Sequence, residues 1–152
     1  ELVDSEFELD IEELIQREDM VVTITHGGYA KRVPLDTYRA QRRGGKGRAG
    51  MTTKDDDFLS DLFVASTHTP ILFFTSRGIV HKMKVYQVPL ATPQSRGKAL
   101  INMLPLEKDE NVSVYLRLPE NEDLWKELDI MFATSHGTVR RNKLSDFGNI
   151  RA

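Results

Sequence analysis

Between Gln41 and Gly50 the chain reads QRRGGKGRAG, with four cations, four glycines and no acid in ten residues. Arg42 and Arg43 offer forked donors that match phosphate oxygens, Lys46 a point charge, and Gln41 a donor to phosphate or sugar. Adjacent Gly44 and Gly45 disfavour a continuous helix, at roughly 1 kcal/mol each relative to Ala, and let backbone amides approach a phosphate closely. Such a loop grips a nucleic-acid backbone rather than reading bases. It is not a Walker loop, because Gly47 rather than Ser or Thr follows Lys46. A disordered arginine–glycine tract would repeat, whereas this stretch occurs once, with Arg48 extending it.

Further cations recur in register. Three similar segments, VVTITHGGYAKRVPL, PILFFTSRGIVHKMKV and DIMFATSHGTVRRNKL, align on Gly28, Gly78 and Gly137. Four residues after the glycine stand Arg32, Lys82 and Arg141, and one residue earlier Lys31, His81 and Arg140. Lys84 lies two residues past Lys82. Cations at one place in every repeat would lay a positive track for a duplex, which carries a charge about every 1.7 Å of axis. They would equally keep exposed strands soluble and discourage edge pairing. A worn counterpart of the glycine-rich stretch, QSRGKA (Gln94 to Ala99), adds Arg96 and Lys98 as weaker contacts, with Arg151 a third candidate.

Other chemistry is poorly represented. The four histidines, His26, His68, His81 and His136, lack metal-ligand spacing. Asp55 to Asp57 form an acidic run that fits a solvated loop better than a Mg²⁺ site; folding back on the basic stretch is a third reading. No nucleophile, base and acid stand together, and nothing around Tyr29, Tyr38, Tyr86 or Tyr115 suggests a cleavage tyrosine. Phe73, Phe74, Phe132 and Trp125 lie in or beside apolar strands and read as packing residues. There is no cysteine, hence no disulfide framework, and no apolar run reaches the length of a membrane span.

The elements that must position the cations are strands. Each repeat has an apolar run ending in Thr25, Thr75 or Thr134, two linking residues, the aligned glycine and a second run. The glycine suits a tight turn that requires positive φ. Seven residues past it stand Leu35, Val85 and Leu144, apolar in every copy, so this column and that of Arg32 should differ in exposure. Repeat spacings of 50 and 59 residues, with several strands per unit, point to a propeller-like array. DLFVAST precedes the second copy and VSVYLRL the third, while nothing comparable precedes the first; that unit is a strand short or borrows one.

Ahead of the strands lies an acidic arm. Residues 1–19 hold nine acids and one base, whereas residues 20–152 hold twenty bases and fourteen acids, so the net charge of −2 hides a strong asymmetry. His26 to Arg48 alone hold seven bases and one acid, which directs attention to a polyanionic partner. DIEELIQRED, with Asp10 as cap and Glu13 at the third helical position, predicts a short helix or turn. The chain opens at Glu1 and stops within a repeat, as expected of a piece of a larger protein.

These residues carry a specific resemblance. QRRGGKG, Gln41 to Gly47, resembles at all seven positions the box of the DNA gyrase A-subunit family, and VVTITHGGYAKRVPLDTYRA and DFLSDLFVASTHTPILFFTSRG around it are similar too. The resemblance spans essentially the whole chain, and an intact box separates it from the topoisomerase IV A-type family. It implies an all-β fold: a β-pinwheel of four-stranded blades exchanging strands with their neighbours, here a partial wheel of two to three blades. Residues 1–19 would be the arm from a cleavage core, and blades would fall near 20–60, 61–110 and, incomplete, 111–152.

It also implies that double-stranded DNA wraps around a basic rim. The wrap would support ATP-dependent negative supercoiling by a bacterial, cytoplasmic, nucleoid-associated enzyme of two A and two B subunits. The catalytic tyrosine and the ATPase site would lie outside this stretch. Neither cofactor nor metal is expected here, while ATP and Mg²⁺ serve the whole enzyme, and no membrane is involved. The alternatives left open are a topoisomerase IV domain and a propeller used as a protein-interaction platform.

Overall fold

The repeated Thr-x-x-Gly sequence closes each hairpin by the same local chemistry. In the computed structural model, which describes residues 12–39, 59–148 and 150, Gly28, Gly78 and Gly137 adopt φ of 84°, 77° and 84°. Each glycine N–H donates to the carbonyl of Thr25, Thr75 or Thr134 at 3.0–3.1 Å. Each threonine hydroxyl accepts the N–H four residues on, from Tyr29 (3.1 Å), Ile79 (3.2 Å) and Thr138 (3.2 Å). The hydroxyl thus pins the entry of the second strand, and glycine supplies a backbone conformation that a side chain would strain.

Strands β1 (Asp19–Thr25) and β2 (Tyr29–Pro34) form the first hairpin, followed by the short helix α1 (Leu35–Arg39). Then come β3 (Leu59–Ser66), β4 (Pro70–Thr75), β5 (Val80–Lys84), β6 (Lys98–Ala99) and β7 (Val112–Arg117). β8 (Asp129–Ala133) and β9 (Val139–Lys143) form the third hairpin. The sheets run β3-β1-β2-β6, β5-β4-β7 and β8-β9. The all-β expectation holds, with one helical turn at 12–14 in the arm. Among the described residues no helix is long and apolar enough to cross a membrane.

Sheet membership departs from the order the repeats suggested. The DLFVAST strand, expected to open the second unit at residue 61, completes the first sheet, with Met20 opposite Ala65 and Val22 opposite Phe63. VSVYLRL, expected in the third unit, pairs with β4, Phe73 opposite Tyr115. The first unit is therefore not a strand short. The reason lies in the THTP turn. It has no glycine for a primed hairpin turn, and beyond the Thr69 N–H to Ser66 O bond that closes it, its backbone bonds go elsewhere: Thr67 N–H to Glu18 O, Val85 N–H to Thr69 O and Tyr86 N–H to Thr67 O. The chain is thereby steered from one sheet into the next instead of doubling back.

β4 sits between two cores. Ile71 and Phe73 pack with Met20, Val22, Ile24 and Phe63 of the first sheet, while Leu72 joins Trp125, Leu118 and Leu144 toward the third. Burial on both faces explains its unbroken apolar run, in contrast to β8, where burial alternates. Phe74, Phe132 and Phe147 form edge-to-face and tilted contacts at 5.3–6.4 Å, and Trp125 donates its indole N–H to Pro119 O at 2.9 Å. The aromatics are packing residues, as expected.

Candidate nucleic-acid interface

The recurring cation columns do not form one rim. Lys31 projects from β2 and is fully buried. Its ammonium donates to the carbonyls of Pro93 at 2.6 Å, Ser95 at 2.9 Å and Thr92 at 3.2 Å. A phosphate cannot reach it, and the expectation that Lys31 contacts DNA is corrected: an ammonium already caged by three carbonyls is a fastener for the turn at 92–95. Burial lowers its pKa below the ordinary lysine value of 10.5.

Arg32, its neighbour on the opposite face, is half-buried and donates from Nε to Val88 O at 2.7 Å. Burial lowers its pKa, partly offset by the Glu18 carboxylate. Its backbone also pairs with the same segment, Arg32 N–H to Pro89 O (2.9 Å) and Ala91 N–H to Arg32 O (3.0 Å). Lys82, at the matching place in the second repeat, reaches the third repeat at Gly148 O, 3.5 Å away. Arg32 and Lys82, two of the three residues of this column, therefore face the following repeat and hold it by a carbonyl, which differs from the open track expected of them.

The remaining cations divide. Lys84 is 22% exposed and ion-pairs with Glu12 of the arm at 3.1 Å, beside His68 Nδ1 at 3.6 Å from the same oxygen. Burial pushes the Glu12 carboxyl up, but the hydrogen bonds and charges of Lys84 and His68 outweigh it and leave it below the usual carboxylate value. The arm is further fixed by the His68 ring at 2.9 Å from Ile15 O, by the Thr67 hydroxyl donating to Gln16 O at 2.8 Å, and by an Arg17–Glu120 ion pair. The sequence pattern of the arm points only to a short helix or turn and carries no sign of these contacts.

Lys98 and Arg140 are exposed. Arg141 is exposed too but pairs with Asp129, its Nε 2.8 Å from Oδ2. Arg96 is half-buried, its guanidinium carbon 3.7 Å from the centroid of the Tyr29 ring. Gln41, Arg42, Arg43, Gly44, Gly45, Lys46, Gly47 and Arg48 lie outside the described residues, as do Asp55 to Asp57 and Arg151.

The segment carrying Arg96 and Lys98 is locked onto the first sheet. β6 pairs with β2, Tyr29 opposite Ala99 and Ala30 opposite Lys98, and Leu100 N–H donates to Gly28 O at 2.7 Å. Gly97 has φ of 84°, and a Cβ there would overlap Ala30 O and lie 2.9 Å from its carbonyl carbon. Only glycine fits so close an approach of two backbones. The worn motif thus has a structural role that its composition does not advertise. Among the described residues no group of three His, Cys, Asp or Glu is placed to hold a metal ion.

The family described as "DNA gyrase C-terminal domain, beta-propeller" matches residues 19–66, 69–122 and 128–152. The DNA gyrase A protein of Rickettsia bellii is 54% identical over 147 residues, which cover 97% of this chain and 16% of that protein. Its Escherichia coli K12 counterpart is 45% identical over 151 residues, covering 99% of this chain and 17% of that protein. The chain therefore spans about a sixth of the length of these relatives. Among solved structures, the C-terminal domain of DNA topoisomerase IV superposes with a TM-score of 0.74 at 26% identity, over 90% of this chain and 40% of that one. The DNA gyrase A C-terminal domain gives 0.63 at 21% identity, over 86% and 41%. The two solved domains share this shape, so the fold does not separate them and the sequence relatives do. With its antiparallel sheets stacked through two apolar cores, the chain belongs to the DNA gyrase C-terminal β-propeller family.

Proposed function

We propose that this chain binds and wraps double-stranded DNA without sequence readout, and that the wrap serves negative supercoiling by a parent type IIA topoisomerase. The observation that carries this reading is the intact seven-residue box, Gln41 to Gly47, within the first repeat of a gyrase-family propeller. The geometry of its worn counterpart supports it. Along the chain, Gly47 follows Gly28 by as many residues as Gly97 follows Gly78, and Arg48 corresponds in the same way to the exposed Lys98. The exposed cations Lys98, Arg140 and Arg141 supply further contacts, as does the half-buried Arg96. Lys82 and Arg32 act from half-buried positions, and Lys84 is available once Glu12 lets go of it.

Bending 20–30 base pairs by 40–90° costs on the order of 1–6 kcal/mol. Many phosphate contacts, each releasing condensed counterions, must offset this. The parent enzyme would pair this polypeptide with a second copy and two B subunits, using ATP and Mg²⁺ at sites outside this chain. The test is made in the full-length protein together with its B partner: relaxed circles are ligated in its presence and the linking-number change is scored. Alanine replacement of Gln41 to Gly47 should abolish the change while leaving weaker, salt-sensitive binding. A box variant that wraps normally refutes the role given to the box. Affinity that stays flat between about 50 and 200 mM salt refutes DNA wrapping altogether.

A further inference from the structure

The guanidinium of Arg96 and the ring of Tyr29 come from different repeats. Tyr29 opens β2 of the first sheet, and Arg96 precedes β6, which arrives after β4 and β5 have built the second. The guanidinium carbon lies 3.7 Å from the ring centroid, a face-on stack. Arg96 Nε is buried and has no hydrogen-bond partner among the described residues. The ring therefore takes the place of a partner for the inner part of the group. A guanidinium stacked on a ring keeps its donors in its own plane, where its terminal nitrogens form a fork suited to phosphate.

Three contacts with β2 fix the segment that bears this arginine. Lys31 holds the carbonyls of residues 92, 93 and 95, Gly97 lets the chain pass against Ala30, and Ala99 pairs opposite Tyr29. Lys98 follows directly and is exposed. The aromatic ring is peculiar to the first repeat, because the residues at the matching place in the other two are Ile79 and Thr138.

We propose that β2 of the first repeat is the mount for a phosphate grip belonging to the second, with Tyr29 a positioning residue that stacks on Arg96 and orients its free edge toward DNA. The proposal rests on the DNA-binding reading above and names residues within it. A positioned guanidinium loses little rotamer freedom on meeting a phosphate. An unstacked one samples many orientations and contributes less. Tyr29 itself touches no phosphate in this arrangement.

The experiment measures binding of the full-length protein to a random-sequence duplex by fluorescence anisotropy across a salt series. Each lost phosphate contact lowers the slope of log affinity against log salt by about 0.9. Arg96→Ala should lower the slope by that amount. Tyr29→Leu should weaken binding about threefold to tenfold and lower the slope in the same direction, whereas Tyr29→Phe, which keeps the ring, should match the parent. The double variant should be no worse than Arg96→Ala alone, because both remove one contact. Additive losses, or a Tyr29→Leu slope equal to the parent's, overturn the positioning role. If Tyr29→Leu fails to fold, Arg96→Ala decides, since an unchanged slope there refutes the grip. If the parent chain shows no salt-dependent binding, the DNA reading itself fails.

Discussion

Lys31→Met is the most exacting perturbation this structure offers. Methionine keeps much of the stem's apolar volume and removes only the ammonium. The three carbonyls at 2.6, 2.9 and 3.2 Å then lose their donor in a place where Lys31 has no solvent exposure. Hydrogen bonds to a charged group are worth about 1.5–3 kcal/mol each, and a buried acceptor left unpaired costs about 1–3 kcal/mol. The three do not add, because the turn at 92–95 can swing some of its carbonyls to water, and because removing a buried charge relieves its desolvation. A net loss of about 2–4 kcal/mol follows. At about 2–4 °C per kcal/mol for a chain of this size, the melting temperature should fall by roughly 5–15 °C.

Urea unfolding read from the single tryptophan, Trp125, suits the measurement, since that residue is buried in the other core. Lys98→Met, at an exposed position, is the control and should stay within about 0.5 kcal/mol of the parent. The pH dependence has a definite sign. Burial lowers the Lys31 pKa below 10.5, so over the window between the folded value and 10.5 the unfolded chain binds more protons. The contribution of Lys31 to stability should therefore rise with pH across that window, and the methionine variant should lack this rise. A Lys31→Met chain as stable as the parent would show that the carbonyl cage holds nothing.

Three further outcomes are expected. Gly78→Ala and Gly97→Ala share a positive φ, but only the second meets backbone, at Ala30. The first should cost about 1–2 kcal/mol and the second at least about twice that, read from urea midpoints; equal costs would contradict the close approach. Thr75→Val removes the acceptor for the Arg77 and Ile79 N–H groups and should cost about 1–3 kcal/mol in the same assay. Glu12 has a folded pKa below 4.5, so its contribution to arm docking is complete above that value and is lost as pH falls through the folded pKa. Cleavage by an acid-active protease near residues 12–18 should rise on acidification, and Glu12→Gln should be cleavable at all pH values; an arm equally protected at every pH in both chains would deny Glu12 its part.

Much of the fold could be read locally. Thr25, Thr75 and Thr134 with their glycines announce three hairpins because a single hydroxyl and a positive φ close each turn within five residues. The strand pairing was harder. DLFVAST looks like the start of the second repeat because it precedes it, yet its partner is β1, some forty residues earlier in the chain. Nothing in strand periodicity names a partner across that distance. The arm showed only as acidic residues and a cap, while its docking depends on His68 and Lys84 from two later elements.

The cations mark the same divide. Residue type and spacing alone determined the hairpin repeat, the basic box and the family to which they belong, because turns, charge runs and motifs are contiguous in the chain. Lys31, His81 and Arg140 look equivalent by that measure. Only the tertiary structure decided that Lys31 is caged, that Arg32 and Lys82 hold the following repeat, and that Lys98 and Arg140 face solvent. The physical reason is that a strand residue's exposure is set by what packs on its face, and in this fold that is a segment from the next repeat.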